Sequence, residues 1–375
     1  MRLLYICDAL ALHGGLERVV VEKANWLVDH EGYEVCLLTV NQAGHPVCYP
    51  LHPSVLYDDL DIRFFLQYHV PFVRRWAKSR QLHRMFRERL ACKLSDFVPD
   101  VIICTRLDYL RDLMRINPVA PIVFESHSCR LASRIEGYGL LHRLRLWYLR
   151  LAVKRIQMVV ALTEGDAAEW RKLTPNVCVI PNIVHLNESG TYSDCHAKSV
   201  VFVGRFSWQK DVGSLLRIWT LVHQRHPDWC LHIYGEFGEE QASLLDSIKQ
   251  MNAQIQVHAP ASDIIERYKE HSLLLLTSQY EPFGLVLPEA MSCGLPVVAF
   301  DCPYGPADII ADGQDGFLIR HRDMNGFAEK VCLLIENEAL RQRMGQTAVL
   351  SAQRYQSSRI MPLWKKLFES LFGKE

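Results

Sequence analysis

At 375 residues the chain exceeds what one hydrophobic core usually supports, so length alone argues for two domains of roughly 150 to 200 residues. Apolar residues make up 49% and charged residues 22%, both within ordinary globular usage. The 42 Lys and Arg balance 42 Asp and Glu, which excludes a net field that would draw the whole protein to a polyanion; anion recognition must come from local placement.

Twelve cysteines are spread from Cys7 to Cys332, several inside apolar runs, with no CxxC pair at zinc-like spacing. That pattern fits buried free thiols in a reducing compartment better than a secreted disulfide scaffold. The opening MRLLYICDALALHGG is interrupted by Asp8 and closed by Gly14-Gly15, so it reads as a buried first strand entering a loop rather than as a signal peptide. No run of 18 uncharged apolar residues offers a membrane span.

Residues 2–7 are a strand candidate, 17–32 carry Val20, Ala24, Leu27 and Val28 at helical spacing before Gly32, and 33–40 return to strand. This βαβ opening predicts a parallel sheet covered by helices. Further strands are expected at 99–105, 121–126, 157–162 and 177–184. The chain then turns polar over 186–198, which reads as a linker.

The same grammar restarts with a strand at 199–204 and a helix at 211–226. A strand at 230–235, helices at 239–251 and 262–271 and a strand at 272–278 follow. A helix is expected to start at Glu289, with strands at 295–300 and 315–319. Residues 354–375 form an amphipathic helical tail. The expected organisation is therefore α/β with two doubly wound domains, 1–185 and 199–353, joined by 186–198 and followed by 354–375.

Three loops can carry chemistry. At 13–17, HGGLE, two glycines lie where the first strand gives way to the first helix; the backbone there can approach an anion at the helix N-terminus, or simply turn tightly. The GxGxxG spacing of a dinucleotide site is missing, which argues against a nicotinamide dehydrogenase. At 203–211, VGRFSWQKD, Arg205 and Lys210 follow a strand and are suited to clamp a diphosphate, or to decorate a solvated loop. In the third, Glu281 follows an apolar strand and Glu289 comes eight positions later, with Phe283-Gly284 turning the chain between them. Two carboxylates at a sheet edge can accept hydrogen bonds from sugar and ribose hydroxyls.

The run EPFGLVLPEAMSCGLPVVA at 281–299 closely resembles the donor-binding signature of the family 4 retaining glycosyltransferases, which have the GT-B fold of two Rossmann-like domains facing across a cleft. The likeness extends over nearly the whole chain, through Gly14-Gly15, Gly204-Arg205 with Lys210, and GPADIIADGQDGFLI at 305–319. The resemblance implies that Arg205 and Lys210 hold the donor diphosphate and stabilise the leaving group. It further implies that Glu289 binds the ribose hydroxyls, that Glu281 contacts the donor sugar, and that backbone amides of Phe283, Gly284 and Leu285 lie beside sugar and phosphate. Gly15 would approach the diphosphate from the first domain, and His127 would stand near the reacting sugar. One departure is that Ala307-Asp308 stands where the family has a glutamate after Gly-Pro.

These roles imply a metal-independent, retaining transfer from a UDP- or GDP-type sugar, with no tightly bound cofactor and with front-face departure of the diphosphate. The expected acceptor is lipid-linked or saccharide, in building a surface polysaccharide or glycolipid. Two basic amphipathic runs, 72–94 with eight Lys or Arg against one acid and 140–155 with five and none, suit an anionic bilayer, although a solvated helix face accounts for them as well. The expected location is cytoplasmic and peripheral to the membrane. No nucleic-acid reading module accompanies the basic runs. Rival readings are another GT-B activity (phosphorylase, nucleotide-sugar hydrolase or epimerase) and a non-catalytic nucleotide-sugar-binding subunit.

Overall fold

A computed structural model describes residues 1–128, 139–140, 144, 147–148, 151–236, 248–249, 251 and 254–372. The chain divides into two compact units, one of 1–162, 167–183 and 357–375, the other of 163–166 and 184–356.

In the first unit, strand β1 (Arg2–Cys7) has Leu3 to Cys7 fully buried, as expected of a strand covered on both faces. Helix α1 (Gly15–Glu31) turns Val19, Val20, Ala24 and Leu27 inward. It stops at Gly32, whose left-handed backbone lets its own N–H reach the Val28 carbonyl and the Tyr33 N–H the Leu27 carbonyl. Next come β2 (Glu34–Thr39), β3 (Leu56–Asp59), α2 (Phe72–Phe97), β4 (Val101–Cys104), α3 (Leu107–Ile116), β5 (Ile122–Ser126), β6 (Met158–Ala161), α4 (Glu164–Arg171) and β7 (Val177–Val179). The sheet is parallel, in the order β3-β2-β1-β4-β5-β6-β7. Leu4, Ile6, Phe86, Ile102 and Phe124 centre its core. The terminal helix (Ser357–Phe372) belongs to this unit; it buries Trp364 and Phe368, and its Lys365 pairs with Glu31 at 2.5 Å.

The second unit runs β8 (Ser199–Val203), α5 (Val212–Arg225), β9 (Cys230–Tyr234), β10 (Ile255–His258), α6 (Ile264–Lys269), β11 (Leu273–Leu276), α7 (Val286–Ser292), β12 (Val297–Asp301), α8 (Gly305–Ile309), β13 (Gly316–Arg320), α9 (Met324–Glu336) and α10 (Glu338–Ala352). Its parallel sheet has the order β10-β9-β8-β11-β12-β13, around a core that includes Phe202, Trp219, Leu275 and Phe300. Each unit is thus a doubly wound, Rossmann-like α/β domain.

Several expectations shift. Strands β3 and β10 were not expected, because both lie at sheet edges and are partly or fully exposed, so neither carries a continuous apolar run. Of 177–184 only the first three residues pair as strand. The helix placed at Glu289 begins at Val286, with Pro288 in its first turn, where a missing N–H costs nothing. The polar 186–198 stretch packs on the second unit: the Asn187 N–H donates to Ser292 Oγ at 3.0 Å, that of Ser193 to the Cys293 carbonyl at 2.8 Å, and Cys195 is buried. Most of the helix expected at 239–251 lies outside the described residues.

Candidate active site

In a doubly wound sheet, ligands gather at the carboxyl ends of the strands where the order reverses. In the second unit that reversal lies between β8 and β11. The loops leaving these two strands carry Arg205 and Lys210 on one side and Glu281 on the other, and they are stitched together. The Gln279 N–H donates to the Gln209 carbonyl at 2.7 Å, Gln209 Nε2 to the Tyr280 carbonyl at 3.1 Å, and Thr277 Oγ1 to the Lys210 carbonyl at 3.1 Å. Asp211, left-handed at φ 48°, caps α5 through the Ser214 N–H and accepts from the Gln279 amide, which in turn accepts from Arg322.

The outcome is a direct pair. Lys210 Nζ donates to Glu281 Oε1 at 2.5 Å, and Ser278 Oγ donates to the same oxygen at 2.6 Å. Glu281 is buried and Lys210 half-buried, while Arg205 on the same loop is exposed.

The Glu281 backbone is fixed by the loop after β12. Its N–H donates to the Pro303 carbonyl at 2.7 Å, and its carbonyl accepts from Tyr304 and Gly305 at 2.8 and 2.9 Å. The two loops touch so closely that a Cβ on Gly305 would stand 1.7 Å from the Phe283 carbonyl oxygen. Gly284 completes the turn with φ +98°, which side-chain-bearing residues rarely adopt. Phe283 is buried edge-on against Tyr355, and Leu285 leads into α7. Glu289, on α7, is 5% exposed and its Oε2 accepts from the Tyr268 hydroxyl at 3.4 Å. Asp308, the departure from the family pattern, accepts the Glu164 N–H at 2.6 Å, a structural contact.

In the first unit the sheet reverses between β1 and β4. Gly14 caps and Gly15 begins α1 just beyond β1. His127 follows β5, with Nε2 3.0 Å from Glu125 Oε1. Glu125 is also paired with Lys23 of α1, both side chains 1% exposed. Burial alone would raise the Glu125 carboxyl, but the Lys23 ammonium and the His127 imidazole outweigh it and hold it down at about 2. Burial pushes the Lys23 ammonium down in turn, against the pull of Glu125.

Sequence reasoning missed Lys23, Glu125, Ser278 and Tyr268. Only Lys23 announces itself, as a cation on the helix face that also carries Val19, Val20 and Leu27. Among the described residues, no group of three or more His, Cys, Asp or Glu is placed to hold a metal ion.

Comparison with known proteins covers both units. Residues 13–188 match the family described as Glycosyltransferase Family 4, and residues 193–350 match Glycosyl transferases group 1. The chain is 29% identical over 377 residues to the amylovoran biosynthesis glycosyltransferase AmsD of Erwinia amylovora, covering 98% of this chain and 99% of that one. It is 29% identical over 228 residues to the poly(ribitol-phosphate) alpha-N-acetylglucosaminyltransferase of Staphylococcus aureus, covering 60% of this chain and 46% of the relative. Among solved structures, the sucrose-phosphate synthase of Thermosynechococcus elongatus superposes with a TM-score of 0.82 at 16% identity, covering 100% of both chains.

Proposed function

This chain is a GT-B glycosyltransferase of the group 1 and family 4 type, and from that premise we propose that it moves a sugar, with retention, from a UDP- or GDP-linked donor to a saccharide or lipid-linked acceptor of a surface polysaccharide or glycolipid. The observation that carries the reading is the contact of Lys210 with Glu281 where the second sheet reverses. A cation suited to a diphosphate and a carboxylate suited to sugar hydroxyls stand side by side there, as the two parts of a nucleotide-sugar do.

In this reading Arg205 and Lys210 take the diphosphate, Glu281 the sugar, Glu289 the ribose, and the backbone of Phe283, Gly284 and Leu285 lies along sugar and phosphate. Gly14 and Gly15 supply close backbone approach from the first unit, and His127 stands near the reacting sugar. The bond from the anomeric carbon to the diphosphate oxygen breaks while the acceptor oxygen bonds to the same face. The acceptor proton passes to the departing diphosphate, whose charge Arg205 and Lys210 stabilise. The whole-length likeness to an amylovoran biosynthesis glycosyltransferase supports a saccharide acceptor.

We further propose peripheral attachment to an anionic membrane. The start of α2 supports it: Val73 is 84% and Trp76 69% exposed beside Arg74, Arg75 and Arg80, with the Arg80 guanidinium 4.7 Å over the Trp76 ring. Most of the second basic run, 140–155, lies outside the described residues. No described helix is long and apolar enough to cross a membrane.

The test is a thermal-shift screen against UDP-, GDP-, ADP- and dTDP-sugars, followed by NMR of the anomeric configuration in the product formed with the responding donor. A shift with a UDP- or GDP-sugar and a retained configuration are expected. A covalent sugar trapped on Glu281 or Glu289 would overturn front-face transfer.

A further inference from the structure

We propose that Glu125, charge-compensated by Lys23, is a positioning residue that orients His127 so that its Nδ1 accepts a hydroxyl of the reacting sugar. This rests on the reading that places His127 beside that sugar.

Residues two apart on a strand share a face, so Glu125, at the end of β5, and His127, just beyond it, point the same way. Oε1 of Glu125 accepts from Lys23 Nζ and lies 3.0 Å from His127 Nε2. Nε2 is buried and makes no hydrogen bond, so the 3.0 Å approach of the carboxylate is an electrostatic contact. In the neutral ring a carboxylate facing one nitrogen keeps the proton on that nitrogen, which leaves Nδ1 as an acceptor. The ionised state of Glu125 follows from its partner, since the Lys23 ammonium is the nearest cation and is sealed beneath aromatic rings, 4.0 Å from that of Trp364 in the terminal helix and 5.4 Å from that of Tyr5 on β1. The other titratable groups facing Glu125 are the Tyr5 hydroxyl and the Cys7 thiol, both kept neutral by burial.

Packing does not explain this arrangement. A buried ion pair is commonly no more stable than an apolar pair of the same volume, and the other buried positions of α1 are all apolar. Nor is the cluster a saturated polar network, because Glu125 Oε2, the Tyr5 hydroxyl and Trp364 Nε1 make no hydrogen bond. The pair sets one carboxylate oxygen beside one imidazole at a strand end, on the edge where doubly wound sheets bind ligands.

The experiment compares E125Q, the K23M/E125Q double variant, H127A and H127A/E125Q. It reads the melting temperature, the donor-induced thermal shift, and the rate of nucleoside diphosphate release from UDP-glucose, UDP-N-acetylglucosamine or GDP-mannose with water as acceptor. E125Q is expected to keep the thermal shift and the donor KM while kcat falls by about 10- to 100-fold, the worth of one hydrogen bond to a charged group. K23M/E125Q keeps the melting temperature, because neither partner is left as a lone charge, and shows the same low kcat. In the H127A background, adding E125Q costs nothing further. Parental kcat in K23M/E125Q, or an E125Q loss of equal factor with and without His127, overturns the proposal. Full kcat in H127A instead overturns the placement of His127 on which it rests, so the two failures are told apart.

Discussion

Lys210 and Glu281 stand 71 positions apart in the chain, yet the ammonium nitrogen of one lies 2.5 Å from a carboxylate oxygen of the other. Each comes from the loop of a different strand flanking the reversal of the second sheet, and Ser278 holds the same oxygen. Removing the two cations of this loop should therefore have different consequences. Lys210→Met leaves Glu281 buried without its cation and should cost about 1–3 kcal/mol of stability. Arg205→Ala changes an exposed side chain and should stay within about 0.5 kcal/mol. Both should abolish the donor-induced thermal shift. Denaturant melts with and without UDP- and GDP-sugars check this; an Arg205→Ala protein that still responds fully to donor would remove that residue from the diphosphate clamp.

The loop at 281–284 offers a prediction from packing. Gly305→Ala places a methyl 1.7 Å from the Phe283 carbonyl oxygen, so the two loops must separate. Gly284→Ala meets nothing nearer than 3.5 Å and suffers chiefly from its φ of +98°. Gly284→Ala should cost about 1 kcal/mol, and Gly305→Ala distinctly more, with loss of donor response because the Glu281 backbone moves with it. Urea midpoints of the two variants decide the ranking, and equal midpoints would show that the loops separate freely.

The candidate site was legible in the sequence where it depended on local pattern. Arg205, Lys210 and Glu281 sit just after apolar strands, and a strand followed by a loop can be read from periodicity alone. The contact of Lys210 with Glu281 could not be read, because it depends on β8 and β11 being neighbours, which is a matter of sheet order. Glu125 was hidden for a related reason: in PIVFES it looks like a polar residue at a strand end. Only the packing of α1 across the sheet brings Lys23 to it. Edge strands β3 and β10 escaped notice because one sheet neighbour and partial exposure relax the demand for apolar side chains.

Three histidines of the second unit predict an acid limit to stability. His271 is 2% exposed and bonded through Nδ1 to Ser199. His232 lies 4.8 Å from it, ring to ring, and His232 Nδ1 lies 3.0 Å from His258 Nε2. Burial, then the neighbouring His232 and His258, pushes the His271 imidazole down to about 3, and burial lowers His232 as well. Folded His271 therefore stays neutral where the unfolded chain takes up a proton. Its contribution is complete above about pH 6.5 and is lost as pH falls from there towards 3, at up to roughly 1.4 kcal/mol per pH unit. Urea midpoints between pH 7.5 and 4.5 should fall, and more steeply than in His271→Asn. Parallel curves for the two proteins would count against the assignment.

Membrane attachment through α2 makes a quantitative demand. Each Lys or Arg near an anionic surface contributes about 1 kcal/mol, so replacing Arg74, Arg75 and Arg80 by Gln should weaken binding to phosphatidylserine-containing vesicles by roughly 100-fold. Trp76→Ser should weaken binding to anionic and neutral vesicles alike, because it removes apolar contact rather than charge. The arginine effect should shrink at high salt while the tryptophan effect persists. Neither set is among the residues proposed to hold the donor, so the donor-induced thermal shift should be unchanged in both variants. Cosedimentation at low and physiological salt separates the two contributions. Equal partitioning of parent and variants would mean that the exposed start of α2 is a solvated face and that attachment, if it occurs, uses another surface.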